Sequence, residues 1–146
     1  MSKTNKILIG LAVLLLAVLT VYGYIKAVPG NLNQSGSQPK IEILPLTFDF
    51  GEVAFGRVAQ TTFKIKNVGQ SVLEIRRVTT SCSCTTAKVS RDKLEPSEEA
   101  ELDVQYDTAA MGKSSHGLGL QERIIYVKTN DPVTPQVEVT TSAVVK

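Results

Sequence analysis

Glu101–Asp107 reads ELDVQYD, and its side chains alternate, with Leu102, Val104 and Tyr106 apolar and Asp103, Gln105 and Asp107 polar. An extended backbone points successive side chains to opposite faces, so this period of two predicts a strand with one dry and one wet face. The pattern recurs on both sides. In TTFKIKN, Phe63 and Ile65 alternate with Lys64 and Lys66; in QVEVTTSAVV, Val137, Val139, Thr141 and Ala143 share a face. Asn67-Val68-Gly69, Glu95-Pro96-Ser97 and Asn130-Asp131-Pro132 supply the turns between such runs. About seven strands are predicted, near 41–50, 58–67, 71–79, 84–89, 99–107, 122–129 and 136–145, with no helical period after residue 26. Two facing sheets bury the apolar faces that a single open sheet would leave wet.

The N-terminal part differs. Ile7–Ile25, ILIGLAVLLLAVLTVYGYI, carries no charge over 19 residues and is flanked by Lys3, Lys6 and Lys26. A helix of that length spans roughly 28 Å, close to the ~30 Å hydrocarbon core of a bilayer. The rival reading is a cleaved signal peptide, but the run exceeds the usual signal core. Val21-Tyr22-Gly23 and Ile25-Lys26-Ala27 also place a bulky residue three before the cut. Residues 7–25 are therefore expected to be a transmembrane signal anchor that puts the chain in contact with the lipid bilayer. The lysine distribution places residues 1–6 in the cytoplasm and the C-terminal domain on the extracytoplasmic side. Residues 26–40, KAVPGNLNQSGSQPK, read as a flexible linker to a domain at 41–146.

Charge divides along the same boundary. The chain has 16 basic and 14 acidic residues, and without Lys3, Lys6, Lys26 and Lys40 the domain keeps 12 basic against 14 acidic, a net −2. No basic surface of the kind that binds nucleic acid is expected.

FDFGEV (48–53), FKIKNVGQSVLEI (63–75), SCSCT (81–85), LEPSEEAELDVQYDT (94–108) and IYVKTNDPVTPQVEVTTSAVV (125–145) occur in that order. Together they resemble the bacterial domain-of-unknown-function family numbered 1573, over essentially residues 46–145. The resemblance implies an all-β, immunoglobulin-like two-sheet Greek-key sandwich similar to the ASH/Hydin and major-sperm-protein group. It implies no activity, although members often stand behind a signal or anchor in envelope proteins. The family's cysteine block is Ser-Cys-Gly-Cys-Thr; here Ser83 stands at the glycine position, which narrows the backbone angles open between the cysteines. Trp is absent and there is no distant Cys pair, so an antibody-type domain is not expected.

Cys82 and Cys84, the two cysteines of the chain, are the strongest candidate site. In a regular strand their Cα atoms would lie roughly 6.6 Å apart with Cβ atoms diverging, so a bridge requires the strand to end or bulge at Ser83. Such a bridge closes too small a loop to staple the fold. Three further readings stand beside it: two small buried side chains, a bridge to another chain, and a soft-metal site for copper or zinc. Met111 and His116, in the loop AAMGKSSHGLG, are the remaining soft or imidazole ligands. Ser114 and Ser115 beside His116 do not make a hydrolase site, because adjacent loop positions do not hold a nucleophile–base geometry. Gly112-Lys113-Ser114 lacks the earlier glycine and the helix of a phosphate loop. No catalytic constellation is present. The expectation is a membrane-anchored extracytoplasmic binding or scaffolding module with an envelope protein partner and no cofactor, with thiol-redox or soft-metal handling at Cys82 and Cys84 as the alternative.

Overall fold

The structure, a computed structural model, describes residues 13–23, 37–113 and 117–146. The chain divides into two units, Met1–Gln34 and Ser35–Lys146. In the first, residues 13–23 form a helix whose side chains are all exposed. No helix among the described residues is long and apolar enough to cross a membrane. Residues 7–12, 24 and 25 of the expected span, and residues 26–36 of the expected linker, lie outside the described residues.

The second unit holds β1 (Ile41–Leu44), β2 (Thr47–Val53), β3 (Val58–Asn67), β4 (Leu73–Thr80), β5 (Thr85–Val89), β6 (Lys93–Leu94), β7 (Glu99–Asp107), β8 (Gly119–Thr129) and β9 (Gln136–Val145). They build a four-stranded sheet, β1-β3-β7-β5, and a five-stranded sheet, β2-β9-β8-β4-β6. Nine strands among the described residues replace the seven expected, for two reasons. The run 41–50 splits between Leu44 and Thr47, with β1 in the first sheet and β2 in the second. Lys93-Leu94 then adds a two-residue strand against Leu73 and Glu74, too short to show a period.

Register explains why the alternating runs found each other. Across β3 and β7, Phe63 faces Leu102 and Ile65 faces Ala100; across β8 and β9, Ile125 faces Val139 and Val127 faces Val137. Each inward residue thus meets an inward residue on its neighbour, and the two sheets close over Phe63, Ile65, Leu73, Leu94, Leu102, Val104, Ile125, Val127 and Val139. Burial of each such side chain contributes about 1.5–3 kcal/mol.

Two buried polar residues tie the turns to this core. Asn67 Nδ2 donates to the carbonyls of Ser71 (2.8 Å) and Leu94 (2.9 Å), and its Oδ1 accepts from Gly69 N at 3.0 Å. Asp131 accepts the N–H of Ile41 at 3.0 Å, of Val133 at 2.8 Å and of Thr134 at 3.0 Å. Burial pushes its carboxyl up, but the backbone bonds from Thr134, Ile41 and Val133, with the Lys40 charge nearby, prevail and hold it below its ordinary value.

Candidate functional site: the Cys82–Cys84 crossover

β4 ends at Thr80 in one sheet and β5 begins at Thr85 in the other, so residues 81–84 carry the chain between sheets at one end of the sandwich. Both ends of the crossing are held. Ser81 N donates to Ile124 O at 2.9 Å, and Ser81 Oγ accepts from Ile124 N at 3.0 Å, which fastens the start to β8. Cys84 O accepts from Asp107 N at 2.9 Å, which fastens the finish to β7. The Thr80 hydroxyl spans the turn, 2.8 Å from Cys82 O and 3.0 Å from Thr85 O.

Cys82 and Cys84 are joined as a disulfide with Cα atoms 5.2 Å apart. The strand has ended, which brings the Cα atoms closer than a regular strand would allow. The sulfurs have different surroundings. Cys84 is 2% exposed and packs with Tyr106, Ala143 and Val145 in a small apolar cluster of its own; Cys82 is half-buried and packs against that cluster. Thr85 Oγ1 lies 3.6 Å from Cys82 Sγ and 3.8 Å from Cys84 Sγ, and since bonded sulfurs carry no proton the hydroxyl is the donor.

Arg123, in β8, aims at the buried sulfur. Its Nε–H donates to Cys84 Sγ at 3.0 Å. The other guanidinium nitrogens are held by Gln121 Oε1 at 2.6 Å and Glu122 O at 2.7 Å. The guanidinium carbon stands 5.2 Å from the Tyr106 ring centroid, within cation–π range. None of the ion pairs among the described residues involves Arg123.

Sequence reading did not find Arg123, although a signal existed. Gln121 and Arg123 continue the inward register of Ile125 and Val127, and a polar pair in a core-facing register asks for a partner. Met111 and His116 fall differently. Their loop leaves β7 beside Cys84, and Lys113 lies over Phe55, a ring packed on the Cys84 cluster. Met111 is exposed, while His116 lies outside the described residues. Among the described residues, no group of three or more His, Cys, Asp or Glu side chains is placed to hold a metal ion.

Two sheets joined by crossings at the sandwich ends define an immunoglobulin-like β-sandwich, and comparison with solved structures agrees. The chain is similar to a Porphyromonas gingivalis W83 protein of unknown function, with 23% identity and a TM-score of 0.66 over 79% of this chain and 50% of that one. It is also similar to the ASH/PapD-like domain 7 of human CEP192, with 11% identity and a TM-score of 0.55 over 75% of this chain and 87% of that one. A third likeness is to the Vibrio cholerae VesB protease, with 11% identity and a TM-score of 0.52 over 75% of this chain and 32% of that one. The chain thus spans half the length of the first of these proteins and about a third of the last. At these identities the likeness concerns the fold alone. The chain belongs to the family described as protein of unknown function (DUF1573), whose model matches residues 41–145. No curated protein matches it.

Proposed function

We propose that this chain is a binding or scaffolding module of the bacterial cell envelope, held to the membrane through residues 7–25 with its sandwich on the extracytoplasmic side. The uncharged run Ile7–Ile25 between lysines supports the anchor. The Cys82–Cys84 disulfide suits a compartment in which disulfides persist.

One observation carries the binding reading. β2 is an edge strand, hydrogen-bonded among the described residues to β9 alone. Leu46, just before it, and Phe48, within it, are 47% and 38% exposed. An unpaired edge beside apolar side chains fits an extended segment of a partner protein, whose main chain would add to the sheet while its side chains cover Leu46 and Phe48. The bulge between Asp49 and Glu52 interrupts the pairing of β2 with β9, which resumes at Glu52 and Val53.

The reading is tested in intact cells with a photo-crosslinking amino acid at position 46 or, as a control on the opposite part of the same sheet, at position 128. Crosslinks to one envelope protein from position 46, lost on Phe48→Asp, are expected. Equal crosslinking from both positions would count against the edge. Protease that digests residues 41–146 without permeabilising the inner membrane is the expected topology result, and digestion only after permeabilisation would overturn the orientation.

A further inference from the structure

A cation aimed at a disulfide sulfur needs a reason. A neutral, bonded sulfur is a weak acceptor, whereas a thiolate accepts a charge-assisted hydrogen bond. Arg123 is held in place by Gln121, Glu122 and the Tyr106 ring, so its Nε–H is fixed toward Cys84 Sγ at 3.0 Å before any charge appears there. Since Arg123 enters no ion pair among the described residues, its charge is not already neutralised by a carboxylate. Exposure adds direction: an incoming group reaches the half-buried Cys82, not the enclosed Cys84.

We infer that Cys82–Cys84 is a thiol–disulfide exchange site in which Cys82 takes the incoming thiolate, Cys84 is the leaving sulfur, and Arg123 is the positioning residue that receives it. An external thiol first loses its proton to solvent. Its thiolate sulfur then bonds to Cys82 Sγ as the Sγ–Sγ bond breaks, and the electron pair of that bond leaves on Cys84 Sγ beside Arg123 Nε–H. A second external thiolate attacks the external sulfur of the mixed disulfide and releases Cys82 as a thiolate, which Thr85 Oγ1 is placed to meet at 3.6 Å. Two external thiols are thereby oxidised to one disulfide, and the protein disulfide takes up two electrons and, from solvent, two protons. The substrate class is a thiolate, from a cysteine pair of another protein or from a small thiol. The step is independent of the edge-strand reading and does not use β2.

The test uses the full chain in detergent. With oxidised glutathione, the reduced Cys84→Ser chain should form a mixed disulfide on Cys82 at least about tenfold faster than the reduced Cys82→Ser chain forms one on Cys84. At fixed pH, Arg123→Gln should slow reduction of the oxidised chain about tenfold, with Arg123→Lys between the two. In the Cys82→Ser chain, the pH midpoint for alkylation of Cys84 should rise on Arg123→Gln, a readout that loss of packing alone does not produce. Faster reduction by a two-cysteine peptide than by glutathione at equal thiol would identify a protein substrate, and the reverse a small one. Equal rates with and without Arg123, preferential adduct formation on Cys84, or no reduction by either thiol at millimolar concentration would each overturn the assignment. So would stoichiometric copper or zinc on the reduced chain that blocks exchange, which would make the pair a metal site.

Discussion

Asp131 accepts the backbone N–H of Ile41 at 3.0 Å across a separation of 90 residues. That single bond fastens the first residue of β1, in one sheet, to the turn that follows β8 in the other. The same carboxylate closes its own turn through Val133 and Thr134. Asp131→Ala leaves three backbone donors without this acceptor and should cost about 3 kcal/mol in denaturant unfolding. Because the folded carboxyl is held low, its contribution is present above the unfolded value and is lost as pH falls through the folded one. The midpoint of wild-type unfolding should therefore drop on acidification below about pH 4. The Asp131→Asn chain should lack that part of the drop; identical pH profiles for the two would show that the carboxylate is not the group responsible.

Asn67 performs a comparable task with both ends of its amide. Two donations to carbonyls and the acceptance from Gly69 N tie β6 and the turn between β3 and β4 to the end of β3. Asn67→Ala should destabilise by about 2 kcal/mol. Asn67→Asp should be worse at neutral pH, since a carboxylate has no proton to give and would face two carbonyl oxygens. Thermal midpoints in the order wild type, Ala, Asp are expected, and an Asp variant more stable than the Ala variant would contradict the assigned bonds.

Gly69 answers to space. A Cβ there would collide with the backbone of Gln38 and Lys40, which runs alongside the turn, where Val68 N donates to Lys40 O at 2.9 Å and Gln70 N to Gln38 O at 2.9 Å. Gly69→Ala should displace residues 38–40 and cost about 1–3 kcal/mol, with faster hydrogen exchange at Val68 and Gln70. Unchanged exchange at both amides would show that the segment moves aside freely.

Strand alternation carried most of the fold, for a reason visible in β3, β7 and β9. Each has a wet face, so the period of two is present in residues such as Phe63-Lys64-Ile65-Lys66, and the expected bounds 58–67 and 99–107 match the observed ones. The first strand reads as continuous in sequence because Leu44, Pro45 and Leu46 are apolar throughout, and no alternation marks where the chain changes sheets. The cysteine pair was legible as a site from residue type, and the requirement that the strand end there agrees with β4 stopping at Thr80. What the pair would meet was not legible. The Arg123–Cys84 contact spans 39 residues and depends on the β4–β8 register, which local pattern does not encode.

The disulfide contributes little to holding the sandwich together. It encloses a single intervening residue, so chain-entropy arguments allow it about 1–2 kcal/mol. Leu73, fully buried in the main core, is worth more: Leu73→Ala should cost about 2–5 kcal/mol. The Cys82→Ser/Cys84→Ser chain should therefore unfold at a denaturant midpoint much closer to wild type than Leu73→Ala. A double variant as unstable as Leu73→Ala would make the bridge structural.

Tyr106 separates packing from chemistry at the crossover. Its ring supports the Arg123 guanidinium at 5.2 Å, while its buried hydroxyl meets no hydrogen-bond partner among the described residues. The ring supplies the orientation. Tyr106→Phe should leave the rate of reduction by glutathione unchanged, because the ring face under Arg123 is kept. Tyr106→Leu removes that face, frees the guanidinium from one of its three supports, and should slow reduction in the same direction as Arg123→Gln. If Phe and Leu slow the reaction equally, the hydroxyl rather than the ring is what the site uses, and the role assigned to the stacked Arg123 must pass to a hydrogen bond from Tyr106.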